Sequence, residues 1–234
     1  MVEEKITRIV GSIKDRKIRG IVQEIIAEPA ASIKVKGVKG MGIPLRQSPA
    51  AKYYHHSYPR GLIEHITSTA SIALALCNSV ERIYGGCVNR DLVLAGVVLH
   101  DIFKPLTYME KEGGGYGSSA LGERLDHLTL ILGELYKKKA PLELLHVIAA
   151  HHGRSGPTSP RTIEALIVHV ADVADASLNG EVLDAAQSLV KDCTGENVRF
   201  SSSKEAFDII YAKQSQGCKG VEEILNRKKA GSQA

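Results

Sequence analysis

The sequence predicts an all-α protein, a helical array built in one chain of 234 residues. Three observations point there. Apolar residues recur at helical spacing through most of the chain, clusters of Gly and Pro punctuate them at helix-length intervals, and no convincing run alternates with a period of two. Trp is absent and aromatics make up 5%, so the core must come from Ile, Leu, Val and Ala, which suit helix-on-helix packing.

Residues 3–27 carry Ile6, Ile9, Val10, Ile13, Ile18, Ile21, Val22, Ile25 and Ile26 in a helical period, with a break expected near Gly11 or Gly20 and a stop at Pro29. Residues 30–48 lack a period and read as an extended connector that could include a short hairpin. A long helix is expected from Leu62 to Tyr84, ended by Gly85–Gly86. Asn89 should cap the next, which is apolar nearly all round as far as His100–Asp101 and so should be central.

The glycines at 113–115 and 117 mark residues 104–119 as a loop, followed by a helix over 120–139. Pro141 sits where the first turn of another helix is expected, and that helix reaches His151–His152. A second loop spans 153–160, and Ser159–Pro160 opens a helix through Val173 and Ala174. Three more helices are expected at 181–192, 204–214 and 220–229. Val198 to Phe200 is too short to count as a strand. The expected organisation is an N-terminal helix and connector over 1–47, a catalytic unit over 48–178, and C-terminal helices packed on it over 179–234.

The formal charge of +4 is mild. The basic runs Lys137–Lys138–Lys139 and Arg227–Lys228–Lys229 fall late in expected helices, where they complement the helix dipole. Extended nucleic acid is therefore disfavoured as a partner. No apolar run approaches a membrane span, and the charged N-terminus does not read as a signal peptide. Cys77, Cys87, Cys193 and Cys218 show no C-x-x-C spacing, and reduced thiols in a cytoplasmic protein are the expectation.

The chemistry lies in the histidines and aspartates. His100–Asp101 ends the apolar helix LVLAGVVLHD, and His151–His152 ends LLHVIAAHHG. Asp172 and Asp175, three residues apart in ALIVHVADVADA, share one helical face. Carboxylates at the ends or faces of such apolar helices should be partly buried, and burial requires positive charge nearby. Only Lys104 and Arg154 lie close in sequence. Each residue alone could be a buried ion pair or a cap, but their joint placement favours a divalent metal with imidazole co-ligands.

The ordered set His65, His100–Asp101, His127, His151–His152 and Asp172 resembles the HD-domain phosphohydrolase superfamily, in particular its bimetallic branch. The likeness spans residues 48–176. It implies an all-α HD-domain helical array and a metal-dependent phosphohydrolase that needs no Ser or Cys nucleophile. It further implies that His65, His100, Asp101 and Asp172 hold one metal, with Asp101 bridging to a second held by His127, His151 and His152. Two divalent transition-metal ions, iron or manganese, would clamp phosphate oxygens and activate a bridging water.

In the same resemblance HDIFK matches HD-x-x-K, which makes Lys104 a catalytic and phosphate-binding cation, although Phe103 stands where the family commonly has Gly. Asp175 would orient a ligand or aid proton transfer, and Arg154 could meet phosphate. His55 and His56 would line the entrance, and His146 would pack. The segment PAAKYYHHSYPRGLIEH is similar to the one preceding the first metal His in bacterial exoribonucleases that place an OB-fold before an HD domain. The short helical start here leaves no room for that barrel. The size and ligand set are also similar to archaeal HD phosphodiesterases that open the 2′,3′-cyclic phosphate of dihydroneopterin. The expected activity is therefore phosphodiester hydrolysis on a small, preferably 2′,3′-cyclic, nucleotide- or pterin-like substrate. A 3′–5′ exoribonuclease and a non-catalytic nucleotide sensor are the alternatives, and a homo-oligomer is compatible with all three readings.

Overall fold

A computed structural model describes residues 4–27 and 42–231. The chain begins with α1 (Glu4–Gly11) and α2 (Arg16–Ala27). The break falls at Gly11, whereas Gly20 is helical. Asp15 starts α2 by accepting from Lys17 N and Ile18 N at 2.8 and 3.0 Å. Most of the expected 30–48 connector, any hairpin in it included, lies outside the described residues, which resume at Gly42 and form a single 3-10 turn at Leu45–Gln47.

α3 (Gly61–Arg82) and α4 (Arg90–Leu99) follow close to their expected bounds. Asn89 Oδ1 caps α4 by accepting from Asp91 N and Leu92 N. The Asp91 carboxylate in turn accepts from Lys14 N at 3.0 Å and Asp15 N at 2.7 Å, pinning the α1–α2 turn to the start of α4. Every residue from Leu92 to Leu99 is buried, and α1, α2, α3, α7 and α8 all pack on this helix, so α4 is central as its sequence predicts. Gly96 makes that possible: a Cβ there would run into Val147 of α7 and Val168 of α8.

Residues 104–119 correct the expectation of a structureless loop and no strands. A short α5 (Lys104–Thr107) leads into an antiparallel hairpin of β1 (Tyr108–Glu110) and β2 (Tyr116–Ser118). Three residues per strand cannot show a period of two. The turn uses Gly113, Gly114 and Gly115 at φ of 81°, 92° and 81°, the left-handed region that glycine enters without strain. α6 (His127–Lys137) starts later than expected because Asp126 is its cap, accepting from Thr129 N at 2.6 Å. α7 (Leu142–Ala150) has Pro141 just outside its first turn.

α8 (Ile163–Thr194) starts after Pro160, with Thr162 as its cap, and runs unbroken through the expected gap near Gly180. Gly180 serves packing there: the Tyr54 ring lies against it where a Cβ would stand. α9 (Ser203–Gly231) is broken at Gly217, φ 66°, which agrees with two expected helices. The second half folds back, so that Val221 and Leu225 join Leu183, Ala186, Val190, Ala206 and Ile209 in a second core against Tyr58. The fold-back brings Cys193 and Cys218 together as a disulfide, Cα atoms 5.1 Å apart. This corrects the expectation of four reduced thiols. The sequence separation of 25 conceals a pairing that the helix hairpin creates. Cys77 is buried and free, and Cys87 exposed and free. Among the described residues no helix is long and apolar enough to cross a membrane.

Candidate metal centre

Helix ends deliver most of the site. α4 ends at His100–Asp101 and α7 at His151–His152, while His127 opens α6. α3 contributes His65 from its second turn, and the middle of α8 contributes Asp172 and Asp175. His65, His100, Asp101 and His151 are essentially inaccessible to solvent.

Three imidazoles are oriented alike. Where α4 and α7 end, His100 Nδ1 donates to Val97 O at 2.8 Å and His151 Nδ1 to Ile148 O at 2.7 Å. His65 Nδ1 donates to Asp175 Oδ2 at 2.7 Å. Each ring thereby spends Nδ1 on a fixed acceptor and presents Nε2 to the centre, as a metal-binding imidazole does. His65 Nε2 and His100 Nε2 face each other at 3.1 Å, and Asp172 Oδ1 lies 3.2 Å from the first and 3.7 Å from the second. Asp101 Oδ2 is 3.5 and 3.4 Å from the same two nitrogens. Its other oxygen, Oδ1, turns to His127 Nε2 at 3.2 Å and His151 Nε2 at 4.0 Å. The His151 and His152 rings are 3.9 Å apart, and His127 sits 5.3 Å from His152.

The residues fit a metal. Donors bound at about 2.1 Å with tetrahedral or octahedral angles lie about 3.0–3.4 Å from one another, close to the spacings around His65, His100, Asp101 and Asp172. Donor atoms of His65, His100 and Asp172 form one group within 4.8 Å of one another, and those of His127, His151 and His152 form another. Asp101 Oδ1, His127 Nε2 and His151 Nε2 are buried without a hydrogen-bond partner, and unpaired polar atoms at such depth require a reason.

The electrostatics agree. Burial alone would raise the Asp101 carboxyl, but Lys104 and His100 hold it well below the usual range. Asp172 is likewise held low against burial by His100 and His65. Burial would lower His65 and His100, yet the surrounding carboxylates raise His65 well above its usual value and His100 to about 9. The group thus calls for positive charge between imidazoles and carboxylates. In the other group burial, helped by His100, pushes His151 down to about 3, and burial lowers His152. These are neutral imidazoles ready to act as ligands.

Lys104 is buried with Nζ 2.5 Å from Asp101 Oδ2, so it belongs to the cluster. Arg154 is exposed on the turn after His152 and makes no hydrogen bond or ion pair with the described residues. His56 was expected at an entrance but is buried, with Nε2 2.8 Å from Asp175 Oδ2 and Nδ1 2.8 Å from the Tyr58 hydroxyl. That hydroxyl lies 2.5 Å from Ser203 Oγ, and Asn179 Nδ2 donates to the same Ser203 at 2.7 Å. Sequence reasoning missed Tyr58, Asn179 and Ser203. The donors of His55, His56 and His65 also cluster, but Asp175 already engages His56 and His65. His55 keeps an unpartnered buried Nδ1, and burial lowers its pKa to about 4. His146 accepts from Arg161 N at 3.0 Å, and His169 Nδ1 donates to His151 O at 2.7 Å.

A helical array that gathers histidines and aspartates in this way is that of the metal-dependent phosphohydrolases. The chain belongs to the HD domain family, which residues 62–177 match, and that family implies dependence on divalent metal. It is 41% identical over 189 residues to dihydroneopterin 2′,3′-cyclic phosphate phosphodiesterase of Methanocaldococcus jannaschii, covering 81% of this chain and 75% of that one. It is 33% identical over 154 residues to the 3′-5′ exoribonuclease YhaM of Geobacillus sp., covering 61% of this chain and 45% of the relative. Against YhaM of Oceanobacillus iheyensis it is 30% identical over 200 residues, covering 79% and 56%. The chain thus spans about half the length of these exoribonucleases. No solved structure matches it.

Proposed function

We propose that the chain hydrolyses a small phosphodiester, preferably the 2′,3′-cyclic phosphate of a pterin- or nucleotide-like molecule, at a centre of two divalent transition-metal ions, iron or manganese. The observation that carries this reading is Asp101: one carboxylate oxygen faces His65 and His100 while the other faces His127 and His151. His65, His100, Asp101 and Asp172 would hold one ion, and Asp101, His127, His151 and His152 the other. When bound, such ions supply an activated water and neutralise phosphate charge. Mixed imidazole and carboxylate donors suit iron or manganese better than calcium.

The side chains divide the remaining work. Asp175 holds His65 in register. Lys104 places a buried ammonium beside Asp101, where it can take a phosphoryl oxygen, and Arg154 can reach phosphate from the rim. Water adds across one P–O bond, and the ring of a cyclic diester opens to a monoester. In this reading residues 48–178 are the catalytic unit, residues 1–47 brace it, residues 179–234 wall one side, and the protein works in the cytoplasm.

The test is protein stripped of metal and reloaded with iron or manganese, its metal content measured, then assayed on cyclic phosphates, linear dinucleotides and RNA with a free 3′ end. About two ions per chain and ring opening of cyclic phosphates are expected. Stepwise, strongly salt-dependent shortening of RNA without ring opening would establish the exoribonuclease reading instead. Tight nucleotide binding without turnover across several metals would establish the sensor.

A further inference from the structure

Beside the candidate metal centre lies a cleft of about 320 Å³, bounded by the segment 52–58, the β1–β2 hairpin, α8 and residues 198–200 before α9. It shares the segment 52–58, which also carries His55 and His56. Tyr54 lines the cleft and His55, the next residue, stands with its ring 5.4 Å from that of His65. The second link is Tyr108, which opens β1 four residues after Lys104 and whose ring lies 5.5 Å from Lys52 Nζ at the cleft wall.

The lining suits a flat heterocycle. Tyr53 is 78% exposed and Tyr54 46%, so both present ring surface on which a planar ring can stack. Tyr54 is held in the left-handed region at φ 83°, and its ring is seated on Gly180 of α8, so its position is built and not incidental. Most polar groups here are already engaged. Lys52 donates to Ser118 Oγ at 2.6 Å, and Arg199 donates to Gly113 O at 3.2 Å. Gln187 accepts from Val198 N and donates to Asn197. Asp184 differs: it lines the cleft, is exposed, and has no hydrogen bond or ion pair with the described residues.

A free carboxylate is an acceptor twice over. It pairs best with two adjacent N–H donors, as in bidentate readout of any planar edge. The 2-amino-4-oxo pyrimidine ring of pterins and guanine presents that edge, a ring N–H beside an exocyclic NH₂. Adenine and cytosine place a ring acceptor next to their amino group, and uracil flanks its single N–H with carbonyls.

We propose that this cleft is the heterocycle subsite and that Asp184 selects 2-amino-4-oxo rings, pterin or guanine, over other bases. The proposal rests on the phosphodiester reading above for where the phosphate sits, but its test does not need turnover. Neopterin, guanosine, adenosine and uridine, all free of phosphate, are titrated against the intact protein by calorimetry. Neopterin and guanosine should bind at least about tenfold tighter than the other two. Asp184→Asn should weaken those two by about 5- to 150-fold, since an amide N–H then meets an N–H, and erase the preference. Tyr53→Ala should weaken all four and keep the preference. Equal binding of the four probes, absence of binding, or a preference that survives in Asp184→Asn overturns the proposal. Cleavage of bis(p-nitrophenyl) phosphate, which has no heterocycle, is measured on the wild type in parallel. Selective binding without that cleavage sinks the catalytic reading alone, and cleavage without selective binding sinks the subsite alone.

Discussion

His65 and Asp175 are joined at 2.7 Å between imidazole Nδ1 and carboxylate Oδ2, and the same oxygen lies 2.8 Å from His56 Nε2. One buried carboxylate therefore fixes the direction in which His65 Nε2 points. Supporting partners of this kind are worth about 10–100-fold in metal affinity. Asp175→Asn should weaken metal binding by that factor, read by competition with a chelating dye, while the far-ultraviolet dichroism stays helical. Unchanged affinity would show that His65 is held by packing alone.

Asp101 has a more demanding position, since it faces both ligand groups and pairs with Lys104. In the proposed two-ion centre its removal would take a donor from each ion, and it would leave Lys104 buried without its counter-charge. Asp101→Ala should lose more activity than the roughly 100-fold limit for a supporting residue, and the metal content of the purified protein should fall with it. A variant retaining a tenth of wild-type hydrolysis would refute the bridging role.

The candidate metal set was partly legible in the sequence, because two of its pairs, His100–Asp101 and His151–His152, directly follow apolar helices, so local pattern and chemistry coincide there. The partners behind it were not. His56 meets Asp175 across 119 residues and Tyr58 meets Ser203 across 145, contacts that no local periodicity encodes. Gly180 looks like a helix stop in SLNGE, yet α8 passes through it because the missing side chain is needed by Tyr54. The hairpin at 108–118 and the Cys193–Cys218 pair were hidden for the same reason: strands of three residues and a helix fold-back leave no periodic trace.

Gly96 sits at the crossing of α4 with α7 and α8, where an added Cβ would come within 3.1 Å of Val168 Cγ2 and closer still to Val147 Cγ1. Both neighbours are fully buried, so neither can move into free space. Gly96→Ala gains helix propensity but overpacks the core, which costs about 1–3 kcal/mol. Chemical denaturation should show a net loss of stability. A stabilised variant would mean that the three helices can separate at little cost.

Glu205 closes the α9 fold-back. Its carboxylate accepts from Ser201 N and Ser201 Oγ at 2.8 Å each and pairs with Lys228 from the second half of the helix. Burial would raise its pKa, but Lys228 and Ser201 outweigh that and hold it below the ordinary 4.5. A depressed carboxyl stabilises the folded state fully above its unfolded value, and that contribution disappears as pH falls through the folded value. Glu205→Gln should therefore be less stable at neutral pH by about 1–3 kcal/mol, the cost of a charged hydrogen-bonded group. Thermal midpoints of the two proteins should differ by a constant gap near neutrality and converge as pH drops below 4.5. A gap that persists undiminished into stronger acid would show that Glu205 acts through shape and not through its charge.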